Sequence, residues 1–516
     1  MTSAAPTMSV DNPTSAMPGK PEPEGRLPRL SPSSLYNLLK PSRCDLREWL
    51  KSHDYEEEPP GAFRELLFEM GHEHERRHLQ RFPAALDIAE LPRDEQAQAT
   101  SSALDAGGRV IYQGVLRAET TLAGHDVEIV GHPDFLLPAR SGYAIRDSKL
   151  NRSSSDYLRM QLLTYGWLYE QTTGAPPVAL QVHSGSGEIL DVPYEGVEEA
   201  LALLQRMLEL RLSDERPTEH VEASKCSGCG FREHCWPQAI ERKEVGLLPG
   251  VDRGTIDQLH AEGTATIDQL LERFDAESLA AFERPWGNRT KPVGARAARI
   301  LKSAEAHQRG APLLLQKPEL PDAKTWVMFD LEGVPPRLDK TERIYMWGLQ
   351  CFGEEMGPFR PALAGFGPHG DREGWHSFLA ECESIFATHG DIPFVHWATY
   401  ERVKIDLYTS RYGDPTGTAA RVKENLLDLL PITSRAVAVP LSSYSLKDVE
   451  TLTGYERQLD EYGGDWSMAK YIRATETADE AEREAIMDEI LAYNREDLEA
   501  TWAVLVWLRG LDGSRA

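Results

Sequence analysis

The chain has 516 residues, 41% of them hydrophobic and 8% aromatic, enough to build several buried cores and to exclude wholesale disorder. Lysine and arginine total 56 against 82 aspartates and glutamates, a net charge of −26 that taken alone argues against a polyanionic partner. Carboxylates also hold the metal ions that cut phosphodiesters, so the charge excludes less than it first suggests.

At about 150 residues per domain the length suggests three folded units. Residues 1–27 are rich in Pro, Ser and Met, carry no apolar signal-peptide core, and read as a disordered tail. A first αβ region is expected over 28–240, a helical hairpin connector with a basic linker over 241–320, and a second αβ region over 321–516. No run of about 18 apolar residues occurs, so no membrane span is expected. Six cysteines are too few for a disulfide scaffold, which points to a cytoplasmic protein.

In chain order, Ser31 or Ser33 is placed to cap a helix whose apolar face is Leu35, Leu38 and Leu39. A helix is expected over 61–81, then strands at RVIYQGVL, HDVEIVGHPDFLLP and YAIRDSKL, then a long helix over 156–171. Residues 246–275 read as two short helices about a Gly263 hairpin, similar to the helix-hairpin-helix modules that bind nucleic-acid backbones. From 286 to 317 seven basic residues, including Arg289, Lys291, Arg296, Arg299 and Lys302, face one acid, Glu305; they are candidate nucleic-acid contacts. A strand TWVMFDLEG opens the last region, IYMWGLQCF and IPFVHWA follow, and a helix ending YNREDLEATWAVLVWL closes it.

The chemistry concentrates in three groups. In the first, Asp134 ends one strand, and Asp147 and Lys149 lie two residues apart on one face of the next. Two carboxylates that hold Mg²⁺ or Mn²⁺, beside a lysine that positions water or offsets charge, make a hydrolase site. This set resembles the RecB-like branch of the PD-(D/E)xK nuclease superfamily. The resemblance extends to GHEHE, where Gly71, His74 and Glu75 stand and His74 is implied as a further metal ligand. It extends also to Gln161 and Tyr165 of QLLTY, one helical turn apart.

In the second group, Cys226, Cys229 and Cys235 are spaced C-x2-C-x5-C, and Cys44 lies upstream of the nuclease core. Four thiolates suit Zn²⁺ or a [4Fe–4S] cluster. The arrangement resembles the iron–sulfur nucleases of the same branch, which implies the cluster, with Zn²⁺ the alternative. Cys351 and Cys382 read as ordinary core cysteines.

In the third group, Asp330 and Glu332 share a face of an apolar strand, and Tyr493 and Asp497 share a face of the last helix. The pattern resembles the tyrosine subtype of DEDD exonucleases with the RNase H-like fold, which implies two divalent ions on four carboxylates. The fourth acid is assigned to Glu401 in FVHWATYERVKIDL, with Asp406 as competitor and His396 or Trp397 in place of the family's asparagine. Asp428 and Lys447 are read as either local structural contacts or substrate neighbours.

All three groups together resemble bacterial RecB-type nucleases that join an iron–sulfur PD-(D/E)xK domain to an RNase H-like exonuclease domain. The resemblance implies a metal-dependent nuclease acting on DNA ends or single strands, in repair, recombination or processing. An RNA-trimming enzyme and a binding scaffold with decayed sites are the alternatives. No G-x-x-x-x-G-K-[ST] motif occurs, so any helicase is expected to be a separate partner.

Overall fold

The computed structural model describes residues 27–39, 43–150, 155–335, 342–354, 356–367, 369–459 and 463–511. Apart from Leu27, the expected N-terminal tail lies outside the described residues. The chain enters through a 3₁₀ turn, Pro32–Leu35, and a short helix, Tyr36–Leu39, with Leu35 and Leu38 buried. Ser31 stands at the cap position, but its hydroxyl meets Ser33 Oγ at 2.8 Å and no helix amide, so the expected cap is not made.

Helix α1 (Ala62–Leu79) precedes a six-stranded sheet whose spatial order follows the chain: β1 (Leu86–Asp87), β2 (Ile111–Tyr112), β3 (Phe135–Ala139), β4 (Gly142–Ser148), β5 (Ala179–His183) and β6 (Ile189–Val192). β3 and β4 are antiparallel, and β4 and β5 parallel. Leu116–Leu122 and His125–Gly131 belong to a separate small sheet with Arg29–Leu30. The segment expected as one strand therefore breaks at 132–134, and Asp134 precedes β3 instead of ending a strand. Helix α2 (Asp156–Thr173) packs on both sheets through Leu162, Leu163 and Leu168, and Gly174 ends it in the left-handed conformation at φ 75°.

The middle of the chain folds around its own core of Val251, Ile256, Leu259, Leu270 and Ile300. Helix α3 (Arg253–Ala261) and α4 (Ile267–Arg273) flank Gly263 at φ 79°, as the hairpin reading expects. Thr266 and Gln269 form a reciprocal cap at the start of α4. The basic run forms a two-stranded hairpin, β7 (Glu283–Trp286) and β8 (Arg289–Pro292), and helix α5 (Ala297–Arg309), not an extended linker.

The last region is a five-stranded sheet in the order β11-β10-β9-β12-β13: β9 (Trp326–Val334), β10 (Arg343–Phe352), β11 (Phe359–Leu363), β12 (Phe394–His396) and β13 (Leu426–Asp428). β9, β10 and β11 are antiparallel neighbours, while β12 and β13 run parallel to β9. Period-two alternation sends Val327, Phe329 and Leu331 to helices α6 (Gly370–His389) and α7 (Tyr400–Tyr412). It sends Trp326, Met328, Asp330 and Glu332 to the opposite face, covered by α9 (Glu480–Gly510), with α8 (Gly464–Glu476) beside it. Asp479 caps α9 by accepting the Ala481 and Glu482 amides.

α1 touches both domains. Leu66, with Phe63 and Met70 beside it, packs against Tyr345, Ile472 and Ile490 of the last region. Toward its C-terminal end the same helix faces β4, and its His78 stacks on His183 at 3.8 Å and meets the Phe135 ring at 4.9 Å.

Candidate active sites

The first site lies where β3 begins and β4 ends. Lys149 Nζ sits 2.9 Å from Asp147 Oδ2 and 3.8 Å from Asp134 Oδ2. The Ser148 amide donates to Asp134 Oδ2 at 2.7 Å, and the Asp134 amide donates to Asp147 Oδ1 at 3.1 Å. Burial, then repulsion from Asp147, pushes the Asp134 carboxyl well above its usual range. Burial works against the Lys149 ammonium, but Asp147 and Asp134 more than offset it and hold it well above its usual value.

α2 places Gln161 and Tyr165 beneath this group. Both are buried, and Gln161 Nε2 donates to Tyr165 Oη at 2.8 Å. Burial, then Asp147, raises the Tyr165 phenol, so it stays protonated beside the carboxylates. The close approach needs a glycine opposite, because a Cβ on Gly131 would fall 2.7 Å from the Tyr165 ring.

His74 was expected to supply a metal ligand. Its ring stacks on His183 at 4.3 Å, and its Nε2 lies 3.3 Å from the His183 carbonyl. The tie from α1 to the carboxylates is instead Glu75. Gln113 Nε2 donates both to Glu75 Oε1 at 2.5 Å and to Asp134 Oδ1 at 3.1 Å. Gln113 itself is held at φ 53°, a strained conformation for a residue with a Cβ, and its amide donates to the Asp134 carbonyl. The sequence offered Glu75 within GHEHE, but only the helix rotation assigns it to the site.

The second site is formed by Asp330, Glu332 and Asp497, each offering an oxygen within 4.8 Å of the others, an arrangement that could hold a metal ion. Burial and mutual repulsion push Asp330 well above the carboxylate range and Glu332 up to about 8. Asn494 Nδ2 donates to Asp330 Oδ2 at 2.6 Å, and reaches it because β10 carries Gly348, where a Cβ would fall 1.8 Å from Asn494 Oδ1. Arg457 donates to Asp497 Oδ1 at 2.6 Å and grips both oxygens of Glu450 at 2.7 and 2.8 Å. Sequence reasoning missed Arg457, which lies 40 residues before its partner. Tyr493 hydrogen-bonds Asp497, and burial keeps its phenol protonated.

Glu401 is buried, pairs with His396 Nδ1 at 3.1 Å, and is near enough to raise Asp330 by repulsion. Asp406 is exposed and pairs with Lys423 on the surface. Asp428 caps the helix Leu429–Ala436 and accepts the Ala398 amide at 2.9 Å, a structural contact. Lys447 Nζ lies 5.6 Å from the centre of the Tyr493 ring, and Asp497 and Glu332 act on its charge.

The four cysteines of the second group line one cavity of about 40 Å³, several times the room one water needs. Arg216 and Arg232 line it, together with Arg47, Lys225 and Arg242, which are paired with Glu57 at 2.5 Å, with Glu219, and with Glu244 at 2.7 Å. Burial raises the thiols of Cys44 to about 12 and Cys235 to about 11, so without a cation they stay protonated. Cys351 and Cys382 sit in the core of the last region.

Among the basic residues, Arg289, Lys291 and Arg299 are exposed, with Lys291 5.3 Å from the centre of the exposed Trp286 ring. Arg296 is tied to Asp252 at 3.1 Å and Lys302 to Glu305 at 2.8 Å, which reduces their charge toward a ligand.

Residues 33–236 match the family model of the PD-(D/E)XK nuclease superfamily. Residues 327–509 match RNase_H_2, of the RNase_H superfamily. The chain carries a domain of each superfamily. Both are mixed α/β, and both matches cover the acids described above. The chain is also similar to the crystal structure of SSO0001, at 16% identity over 42% of this chain and 88% of that one, with a TM-score of 0.23. No curated protein matches it. No helix among the described residues is long and apolar enough to cross a membrane.

The carboxyl cluster of the RNase H domain predicts a pH dependence. In the folded, metal-free protein Glu332 keeps its proton up to about 8, but in the unfolded chain only to about 4.3. The fold then binds more protons than the unfolded chain, so stability in EDTA falls as pH rises, by about 1 kcal/mol per pH unit near pH 7. Buried neutral histidines, His78 held at about 3 and His183 at about 4, act the other way only below about 6.5. Melting temperature in EDTA should therefore drop between pH 7 and 8, and added Mn²⁺ should raise it more at pH 8 than at pH 7. A melting temperature that climbs across that window would contradict the cluster as described.

Proposed function

We propose that the protein is a divalent-metal-dependent nuclease that hydrolyses phosphodiester bonds of DNA ends or single strands, chiefly as an exonuclease. The observation that carries this is the convergence of Asp330, Glu332 and Asp497 on one point beneath α9. Bound Mg²⁺ or Mn²⁺ would polarise a phosphoryl oxygen and supply hydroxide at neutral pH. Glu401 would complete the ligand set, Tyr493 would donate a hydrogen bond to the water or phosphate, and Arg457 would hold Asp497 in place. In the first site Asp134, Asp147 and Glu75 would hold the ion, and the Lys149 ammonium would face the scissile phosphate. Tyr165 would fix the underside of that group. His74 would serve there by orienting His183.

Cys44, Cys226, Cys229 and Cys235 would hold a [4Fe–4S] cluster that staples the start of the PD-(D/E)XK domain to its end. The resemblance of the four-cysteine arrangement to the iron–sulfur nucleases supports a cluster over a lone Zn²⁺. Anaerobically purified protein should be brown, absorb broadly near 400 nm and carry about four irons per chain. Cys44→Ser should lose that colour. A colourless preparation with stoichiometric zinc would replace iron with zinc in this reading.

The exposed Arg289, Lys291 and Arg299 would add backbone contacts, and duplex opening would fall to a separate helicase. The protein would act in the cytoplasm, in DNA repair, recombination or processing. The test gives the full chain labelled single-stranded DNA, duplex DNA and single-stranded RNA with Mg²⁺ or Mn²⁺, beside Asp147→Ala and Asp330→Ala. Metal-dependent DNA cutting lost in one or both variants supports the reading. Cutting confined to RNA would redirect it, and no cutting under anaerobic conditions would end it.

A further inference from the structure

A cleft of about 930 Å³ runs between the two nuclease domains. One wall is the start of α1 and the cysteine loop, with Arg64, Gly230 and Arg232. The other is Lys447 and the start of α8, with Gly463 and Trp466. Two acids, Glu58 and Asp465, also line it. Two of its lining residues, Trp466 and Lys447, reach the second site through Tyr493. The Trp466 ring lies edge-on to Tyr493 at 5.9 Å, Lys447 lies 5.6 Å from the same ring, and Tyr493 bonds Asp497. Lys447 Nζ overhangs Gly463, where a Cβ would come within 3.3 Å of it.

We propose that this cleft is the channel that delivers a single nucleic-acid strand to Asp330, Glu332 and Asp497, so that the PD-(D/E)XK domain supplies half of the RNase H domain's binding site. This rests on the nuclease reading above and adds where the strand lies. Three cations from both walls can track a phosphate backbone, and beside the lining glycines Gly228 and Gly464, where a Cβ would meet nothing within 4 Å, that backbone has room to approach the main chain. Trp466 offers a stacking face just before the tyrosine and the carboxylates. Stacking needs unpaired bases, so the occupant that uses Trp466 is a single strand.

The experiment measures binding of a fluorescein-labelled oligothymidylate to the full chain by anisotropy, in EDTA so that nothing is cut, over a range of salt. Trp466→Ala should weaken binding roughly tenfold. The double variant Arg64→Ala with Arg232→Ala should lower the slope of log Kd against log salt by about 1.4, about 0.7 for each lost cation. The Arg64→Lys with Arg232→Lys pair should retain the slope, which separates charge from folding. An oligonucleotide carrying 5-iodouracil near its 3′ end should photocross-link to Trp466. Unchanged affinity and slope, or a cross-link mapped outside the cleft, overturns the channel. If Asp330→Ala still abolishes cutting in that event, the nuclease reading survives alone. A wild type that neither binds nor cuts fails both.

Discussion

Asp330→Asn should cut single-strand hydrolysis by on the order of 10³-fold while making the metal-free protein harder to melt. The two effects have one cause. Asp330 shares its pocket with Asp497, Glu332 and Glu401, and their repulsion adds to the cost of burial. Asparagine keeps the shape and is neutral without having to take up a proton on folding, and its carbonyl can still accept from Asn494. The fold therefore gains stability in EDTA. The same change removes a ligand from the centre that would stabilise charge on the phosphate, a contribution of several kcal/mol. Initial rates at saturating Mn²⁺ and melting curves in EDTA test the pair. A rate and a melting temperature that fall together would make Asp330 a structural residue. An unchanged rate would leave the RNase H site without a part in the reaction.

The first and third chemical groups were legible because each rests on a short period. Two residues on a strand put Asp330 and Glu332 on one face, and four on a helix do the same for Tyr493 with Asp497 and Gln161 with Tyr165. Residues five apart on a helix cannot face one pocket, so only one of Glu401 and Asp406 could belong to it, and the resemblance to the exonucleases, through the aromatic Tyr400 before it, pointed to Glu401. What was illegible depends on distant pieces meeting. The position of Glu75 against Asp134 is set by how α1 rolls on β4 and by the bridging Gln113. Arg457 reaches Asp497 through a loop whose path no local pattern records. Arg296 counted as free charge in sequence, but the fold closes it onto Asp252. Ser31 had the right residue type for a cap, yet found Ser33 nearer than an amide. The shared helix α1 escaped notice for the same reason, since an amphipathic pattern does not say which domain its apolar face meets.

Lys149→Ala tests the PD-(D/E)XK site by the opposite logic. Here a buried cation balances two carboxylates, at 2.9 Å from Asp147 and 3.8 Å from Asp134. Removing one member of a buried pair costs about 3–5 kcal/mol because the remaining charge has no partner. The Lys149 side chain is 27% exposed, so the low end, about 3 kcal/mol, is expected. For a domain of this size that is a fall in melting temperature of roughly 6–12 °C in EDTA at neutral pH. The deficit should shrink at lower pH, because Asp134 is already held above the usual carboxylate range and would then take up a proton. Mn²⁺ should restore most of the stability, since a dication between the carboxylates replaces the lost positive charge. It should not restore cutting. In the proposed reaction the ammonium would also face the phosphate, and losing one such donor costs on the order of 10²- to 10³-fold in rate. Lys149→Arg should retain more stability than alanine but little rate, because a planar guanidinium cannot place a compact charge at that point. If Mn²⁺ leaves the alanine variant as unstable as EDTA does, Asp134 and Asp147 do not hold a metal, and the lysine is there only to neutralise them.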